Sequence, residues 1–126
     1  MSDTPATPSA SVETKGHAVI ARSPSKLLDD REFKALAEGI DKASDGNPNL
    51  SVVVLDLSAV RIVPSLALGL LVQLSKRCKS RGQKLLLAAV QPQVRQVFTV
   101  TQLDRVFAFA PSVDAAVGSV AGEGTP

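Results

Sequence analysis

From residue 16 to residue 120, short apolar runs alternate with stretches of helical spacing. His17 to Ala21 (HAVIA) predicts a first strand, closed by the turn residues Ser23-Pro24-Ser25. Phe33, Leu36, Ala37 and Ile40 then recur at i, i+3, i+4 and i+7, which gathers them on one face of an amphipathic helix. Asp29 or Asp30 can cap its start, because a short side-chain oxygen accepts from the free N–H groups of a first turn. Asp45-Gly46-Asn47-Pro48 ends it, since a helix cannot cross that cluster. Ser51 to Leu57 (SVVVLDL) is almost continuously β-branched and apolar, the pattern of a strand buried on both faces, and predicts the centre of a sheet. Behind Pro64-Ser65 a second helix runs to near Arg81, with Gly82 placed for a left-handed cap. Lys84 to Val90 (KLLLAAV) predicts another buried strand, and Pro92 opens a short helix with Val94, Val97 and Phe98 inward. Val106 to Ala110 predicts a last short strand, and Ser112 caps a final helix with Val113, Ala116, Val117 and Val120 inward. Strands alternating with helices make the fold class α/β.

The ends of the chain break this pattern. Residues 1 to 15 (MSDTPATPSASVETK) mix Ser, Thr, Pro and Ala without an apolar period, and residues 121 to 126 are similarly small and polar. Such segments cannot offset their ordering entropy by burial, so two disordered tails are expected around one domain at 16–120. A chain of 126 residues with 44% hydrophobic residues has enough core for that single domain.

Composition narrows the function. With 3% aromatic residues and no Trp or Tyr, the chain lacks the stacking platforms of single-strand and RNA binders. Its net charge of +2 is spread among interleaved signs, so no nucleic-acid partner is expected. The one locally basic run, Lys76-Arg77-Cys78-Lys79-Ser80-Arg81, is either a solvated helix end whose cations complement the dipole or a phosphate-binding patch. A single cysteine, Cys78, excludes an intramolecular disulfide and suits a reducing compartment. No apolar stretch approaches the ~20 residues of a membrane span, and no hydrophobic leader opens the chain, so a cytoplasmic location without membrane insertion is expected.

One constellation is specific. The run Val52-Val53-Val54-Leu55-Asp56-Leu57-Ser58 leads to Ile62-Val63-Pro64-Ser65-Leu66-Ala67-Leu68-Gly69, then Arg81-Gly82, then Lys84 to Ala89, then Leu103-Asp104-Arg105-Val106-Phe107. This order resembles the STAS family of the anti-sigma-factor-antagonist type. That family shows an apolar strand ending in Asp-Leu-Ser, a loop with Asp-Ser-Ser-Gly-Leu, a helix closing on glycine, a second apolar strand and a Gly-Leu-Asp-like end. The resemblance implies a mixed sheet of four to five strands covered by about four helices. It also implies a protein-interaction module of bacterial signalling and transcription regulation, not an enzyme. The implied partner is an anti-sigma factor that is also a serine kinase, and phosphorylation of the serine opening the helix releases it. Ser65 is the matching position. Pro64 stands where the family has Asp, Leu66 where it has the second serine, and Ala67 where it has glycine, so the motif is degraded. A rival implied by those changes is an unphosphorylated structural STAS subunit of a stress-sensing or lipid-transport complex.

The residues alone support a regulatory serine or a helix cap at Ser65, since a serine there can bond free backbone N–H groups and a phosphate would meet the positive end of the dipole. At about 100° per residue, Ala67, Leu71, Leu74 and Cys78 face the sheet, while Leu66, Gly69, Leu70, Gln73 and Arg77 form a second ridge. That ridge is either an apolar docking surface with a gap at Gly69 or is covered by another helix. The resemblance implies that Asp56, at the end of the central strand and two residues before Ser58, shapes the loop next to Ser65. With Pro64, Leu66, Gly69, Leu70 and Gln73, Asp56 and Ser58 make up the expected partner-binding set.

Catalytic chemistry is sparse. His17 is the only histidine, so a Ser-His-Asp triad would have to draw on the first strand. Glycine-rich phosphate and dinucleotide loops are absent, no metal cluster or cofactor is indicated, and Cys78 on a core-facing position reads as an inert thiol. An enzyme using Asp56 and Ser65 beyond the strand ends is the third reading.

Overall fold

The structure, a computed structural model, describes residues 11–47 and 49–123, with side chains described to residue 118. The tails expected at residues 1–10 and 124–126 lie outside the described residues. Five strands and four α-helices follow in the order β1 (Ser11–Lys15), β2 (Ala18–Arg22), α1 (Asp30–Asp45), β3 (Val52–Asp56), α2 (Ser65–Ser80), β4 (Lys84–Ala88), α3 (Pro92–Val100), a 3-10 turn (Leu103–Arg105), β5 (Ala108–Ala110) and α4 (Val113–Glu123). They build one mixed sheet in the order β1-β2-β3-β4-β5, in which β1 is antiparallel to β2 and the other neighbours are parallel.

That order dictates the layers. Parallel strands laid down one after another, each joined by a right-handed crossover, put every connecting helix on the same face. Thus α1, α2 and α3 cover one side with a core that includes Phe33, Leu36, Ile40, Leu71, Leu74 and Phe98. The opposite side holds Ala18, Ile20, Val52, Val54, Leu86 and Ala88, with Ala116 of α4 against it. All five residues of β3 are therefore buried, as a central strand requires. Aromatic packing is concentrated at one place, where Phe98 meets Phe107 and Phe109 edge-on at centroid distances of 5.6 and 5.5 Å.

Local signals act where they were read. Asp29 accepts from the Glu32 N–H at 2.9 Å and caps α1. Ser112 accepts from the Ala115 N–H at 3.0 Å before α4. Gly82, at φ +77°, follows the last residue of α2's C-cap in the left-handed conformation that favours glycine.

Several boundaries differ from the sequence reading, β4 among them, which ends at Ala88 and not at Val90. The expected first strand is the second, β2, because Ser11–Lys15 form an edge strand where a disordered tail was expected. Only Val12 in that segment is apolar and turned inward. It lies so close to α1 that a Cβ on Gly39 would stand 2.4 Å from Val12 Cγ2, so the missing side chain of Gly39 makes room for the strand. Helix α4 runs on to Glu123, past the expected domain end at residue 120. The last strand begins at Ala108 because Leu103–Arg105 wind into a 3-10 turn that leaves Val106 outside it, half exposed.

Candidate functional site

Parallel strands β2 and β3 end in register, Arg22 opposite Asp56. Asp56 is 6% exposed, and its carboxylate accepts from Arg22 Nε at 2.7 Å and from the Ser58 N–H at 3.0 Å. Burial pushes this carboxyl up, but the Arg22 guanidinium and the Ser58 amide outweigh it and hold it below the usual carboxylate value. Asp56 thus pins the first turn of the β3–α2 loop and stays charged near neutrality. Ser58 is itself exposed, and its carbonyl accepts from Gln91 Nε2 at 2.7 Å, which ties this loop to the β4–α3 loop.

Farther along, the loop pairs with the segment before α1. Leu27 and Ile62 form a parallel bridge, with the Ile62 N–H donating to Lys26 O and the Leu28 N–H donating to Ile62 O, both at 3.0 Å. Leu28 and Val63 turn inward, which turns Leu27 and Ile62 outward to 40% and 58% exposure. Leu66, in the first turn of α2, is 62% exposed. These three apolar side chains belong to the two paired loops and the helix start around Ser65.

Ser65 is exposed and is the first residue of α2. The helix-cap reading of this serine is corrected: Pro64 occupies the N-cap position, and no side-chain cap hydrogen bond forms there. A serine at the first helical position lies past the point from which its oxygen can reach back to the second and third N–H groups. No acidic residue stands in this first turn, so the positive end of α2 is uncompensated.

On α2 the inward face is as expected, with Ala67, Leu71, Leu74 and Cys78 buried, and Leu68 joins it. The second ridge is split. Leu66, Gly69 and Gln73 are exposed, whereas Leu70 is half-buried against the core beside α1. A Cβ on Gly69 would meet nothing within 4 Å, so no neighbour needs the gap there. At the far end of α2, Arg77 and Arg81 both bind Asp41 of α1, which occupies half of the locally basic run. Burial raises the Cys78 thiol to about 11, as suits an inert core cysteine. His17 is exposed, 3.2 Å from the Asn49 carbonyl and on the opposite end of β2 from Asp56. Among the described residues no three His, Cys, Asp or Glu side chains are grouped to hold a metal ion, and no helix is long and apolar enough to cross a membrane.

The structure therefore gathers Asp56, Ser58, Pro64, Ser65 and Leu66 at one end of the sheet and carries Gly69, Leu70 and Gln73 down the flank of α2. Sequence reasoning missed Arg22, Leu27 and Ile62. Ile62 carried a signal, an apolar residue in a loop two positions before a helix-opening proline. Arg22 became visible only through the strand register.

Known structures share this fold. An anti-sigma factor antagonist from Mycobacterium paratuberculosis is 25% identical, with 89% of this chain and 92% of that one aligned at a TM-score of 0.71. A STAS domain protein from Planctomyces limnophilus is 24% identical over 90% of this chain and 99% of that one, at 0.76. The anti-sigma factor antagonist SpoIIAA in its unphosphorylated form is 17% identical over 90% and 97%, at 0.74, and Bacillus SpoIIAA has also been solved phosphorylated. The STAS domain profile matches residues 9–116, and the chain belongs to the STAS domain family.

Proposed function

We propose that this protein is an anti-sigma factor antagonist that works by reversible docking of the α2 N-terminal face on a kinase-type anti-sigma factor, with Ser65 as its phosphorylation switch. The observation that carries the reading is Ser65 itself: an exposed, uncapped hydroxyl at the start of α2, flanked by exposed Leu27, Ile62 and Leu66. Apolar side chains in such a cluster gain by being covered by a partner. The partner's ATP would transfer its γ-phosphoryl group to Ser65 Oγ, with ADP leaving and the serine proton lost. With Pro64 in place of a carboxylate, the base for that proton belongs to the partner. A phosphoserine carries about −1.5 to −2 charges at pH 7 and cannot be buried against apolar side chains without a large desolvation cost, so the modified form lets go. A partner that can hold either this protein or a sigma factor is then free to take the sigma factor. In this reading the protein works in the bacterial cytoplasm and regulates transcription.

The test is mass spectrometry of the peptide containing Ser65, from source cells in growth and under stress, together with binding of Ser65→Ala and Ser65→Glu chains to the kinase-type anti-sigma factors of the same organism. Condition-dependent phosphate at Ser65 and a Ser65→Glu chain that binds at least tenfold more weakly are expected. An unmodified Ser65 in every condition, with Ser65→Glu binding as tightly as the parent, would overturn the switch. That result would favour the second reading, a constitutive STAS subunit of a stress-sensing or lipid-transport assembly, for which Pro64 and the exposed Leu66 speak.

A further inference from the structure

The apolar surface does not stop at Leu66. One turn on, half-buried Leu70 lines a groove of about 290 Å³ with half-buried Ala37 of α1, and the buried side chains of Phe33 and Leu74 also border it. From Leu66 to Arg77 the flank of α2 runs ~17 Å at ~1.5 Å per residue, the length of about three turns of a partner helix. The charges along it are uneven. Lys26 and Arg61 are exposed on the paired loops at the upper end, Lys34 lines the groove, and none of the three makes an ion pair among the described residues. Of the carboxylates nearby, Asp56 is held by Arg22, Asp29 by the Glu32 N–H, and Asp41 by Arg77 and Arg81, while one carboxylate oxygen of Glu32 is buried without a hydrogen-bond partner. Asp30 is the one carboxylate among the groove's lining residues.

We infer that this groove takes an amphipathic helical segment of an acidic partner protein, its apolar side chains between Leu70 and Phe33 and its Asp or Glu residues toward Lys26, Lys34 and Arg61. The inference rests on reading the α2 face as the docking face. It deepens that reading by naming the partner's chemistry. Helices that lie in grooves are anchored by apolar residues at i, i+3 and i+7, and charge complementarity at the rim sets their orientation and their rate of association. The same charges explain how one phosphate would act on the whole interface, since a phosphoserine at Ser65, the first residue of α2, would add negative charge at that end of the groove and turn it against an acidic helix.

The probe is a synthetic helical peptide of about four turns, with Leu at i, i+3 and i+7 and Glu elsewhere, titrated into the ¹⁵N-labelled full chain. A second peptide with Lys for every Glu is the control. Amide shifts centred on Ala37, Gly69, Leu70 and Gln73 are expected, with the acidic peptide bound about tenfold more tightly than the basic one. Lys26→Glu with Arg61→Glu, both on exposed loop positions, should remove most of that preference while leaving the rest of the spectrum unchanged. Equal binding of the two peptides, or shifts centred elsewhere, such as the exposed Val100 on α3, would overturn the inference. No kinase takes part, so this result stands apart from the fate of the phosphorylation switch, and an unmodified Ser65 in cells would leave it intact.

Discussion

Replacing Asp56 with Ala tests whether one buried carboxylate organises the loop that carries Ser65. The substitution removes the contact to Arg22 Nε at 2.7 Å and the bond from the Ser58 N–H at 3.0 Å. Hydrogen bonds to charged groups contribute about 1.5–3 kcal/mol, whereas half-exposed ion pairs contribute about 0.2–1 kcal/mol. The Arg22 side chain is 47% exposed and can rehydrate, and Ser58 is exposed as well, so both partners recover water when the carboxylate is lost. Returning a buried charge to none also relieves its desolvation. The net loss should be about 2 kcal/mol, or a fall of about 8 °C in melting temperature for a domain of this size. Urea unfolding at pH 7 reads the first figure and calorimetry the second. The pH dependence carries the sharper test. A carboxyl held below its usual value near 3.9 contributes fully above about pH 5 and loses that contribution as pH falls through its folded value, so the gap between wild type and Asp56→Ala should shrink steadily in acid and close only below that folded value. A difference below about 0.5 kcal/mol at pH 7, or one that persists undiminished in acid, would refute the role assigned to Asp56.

Other changes read other parts of the fold. Gly39→Ala gains about 1 kcal/mol of helix propensity but drives a Cβ to 2.4 Å from Val12 Cγ2, and overpacking of about 1–3 kcal/mol should outweigh the gain. In the double variant with Val12→Ala the helix gain should emerge, so a strictly additive cycle in urea would count against the contact. With its thiol raised to about 11 and buried, Cys78 should resist a thiol reagent at pH 8 until urea unfolds the chain, and rapid native-state labelling would contradict the packing of α2. Ser65→Glu should raise stability by about 0.3–1 kcal/mol, because it places a carboxylate at a helix start that has no acidic residue. A loss of stability there would mean that the first turn of α2 is not open as described.

The legibility of this chain follows how far each structural cause lies from its residues in sequence. Strands β3 and β4 and helices α1 and α2 are written in local periodicity, and their caps and turns sit within four residues of what they cap, so pattern alone recovers them. Strand β1 is different, since Ser11–Lys15 offers one apolar side chain and is held by pairing with β2 and by the space at Gly39, 27 positions beyond Val12. The same distance hid the Arg22–Asp56 pair, which depends on two parallel strands ending in register. Ser65 shows the converse. Its position at a helix start was legible, but whether its oxygen would cap that helix turned on a single residue of offset, and Pro64 took the capping place. That offset bears on function directly, because a hydroxyl bonded to its own helix would have to be released before a kinase could use it, whereas this one is exposed and makes no cap bond at the start of α2. The degraded motif and the open hydroxyl therefore pull in opposite directions: the carboxylate that the family keeps beside the serine is gone, yet the acceptor oxygen is more available than a capping serine would be.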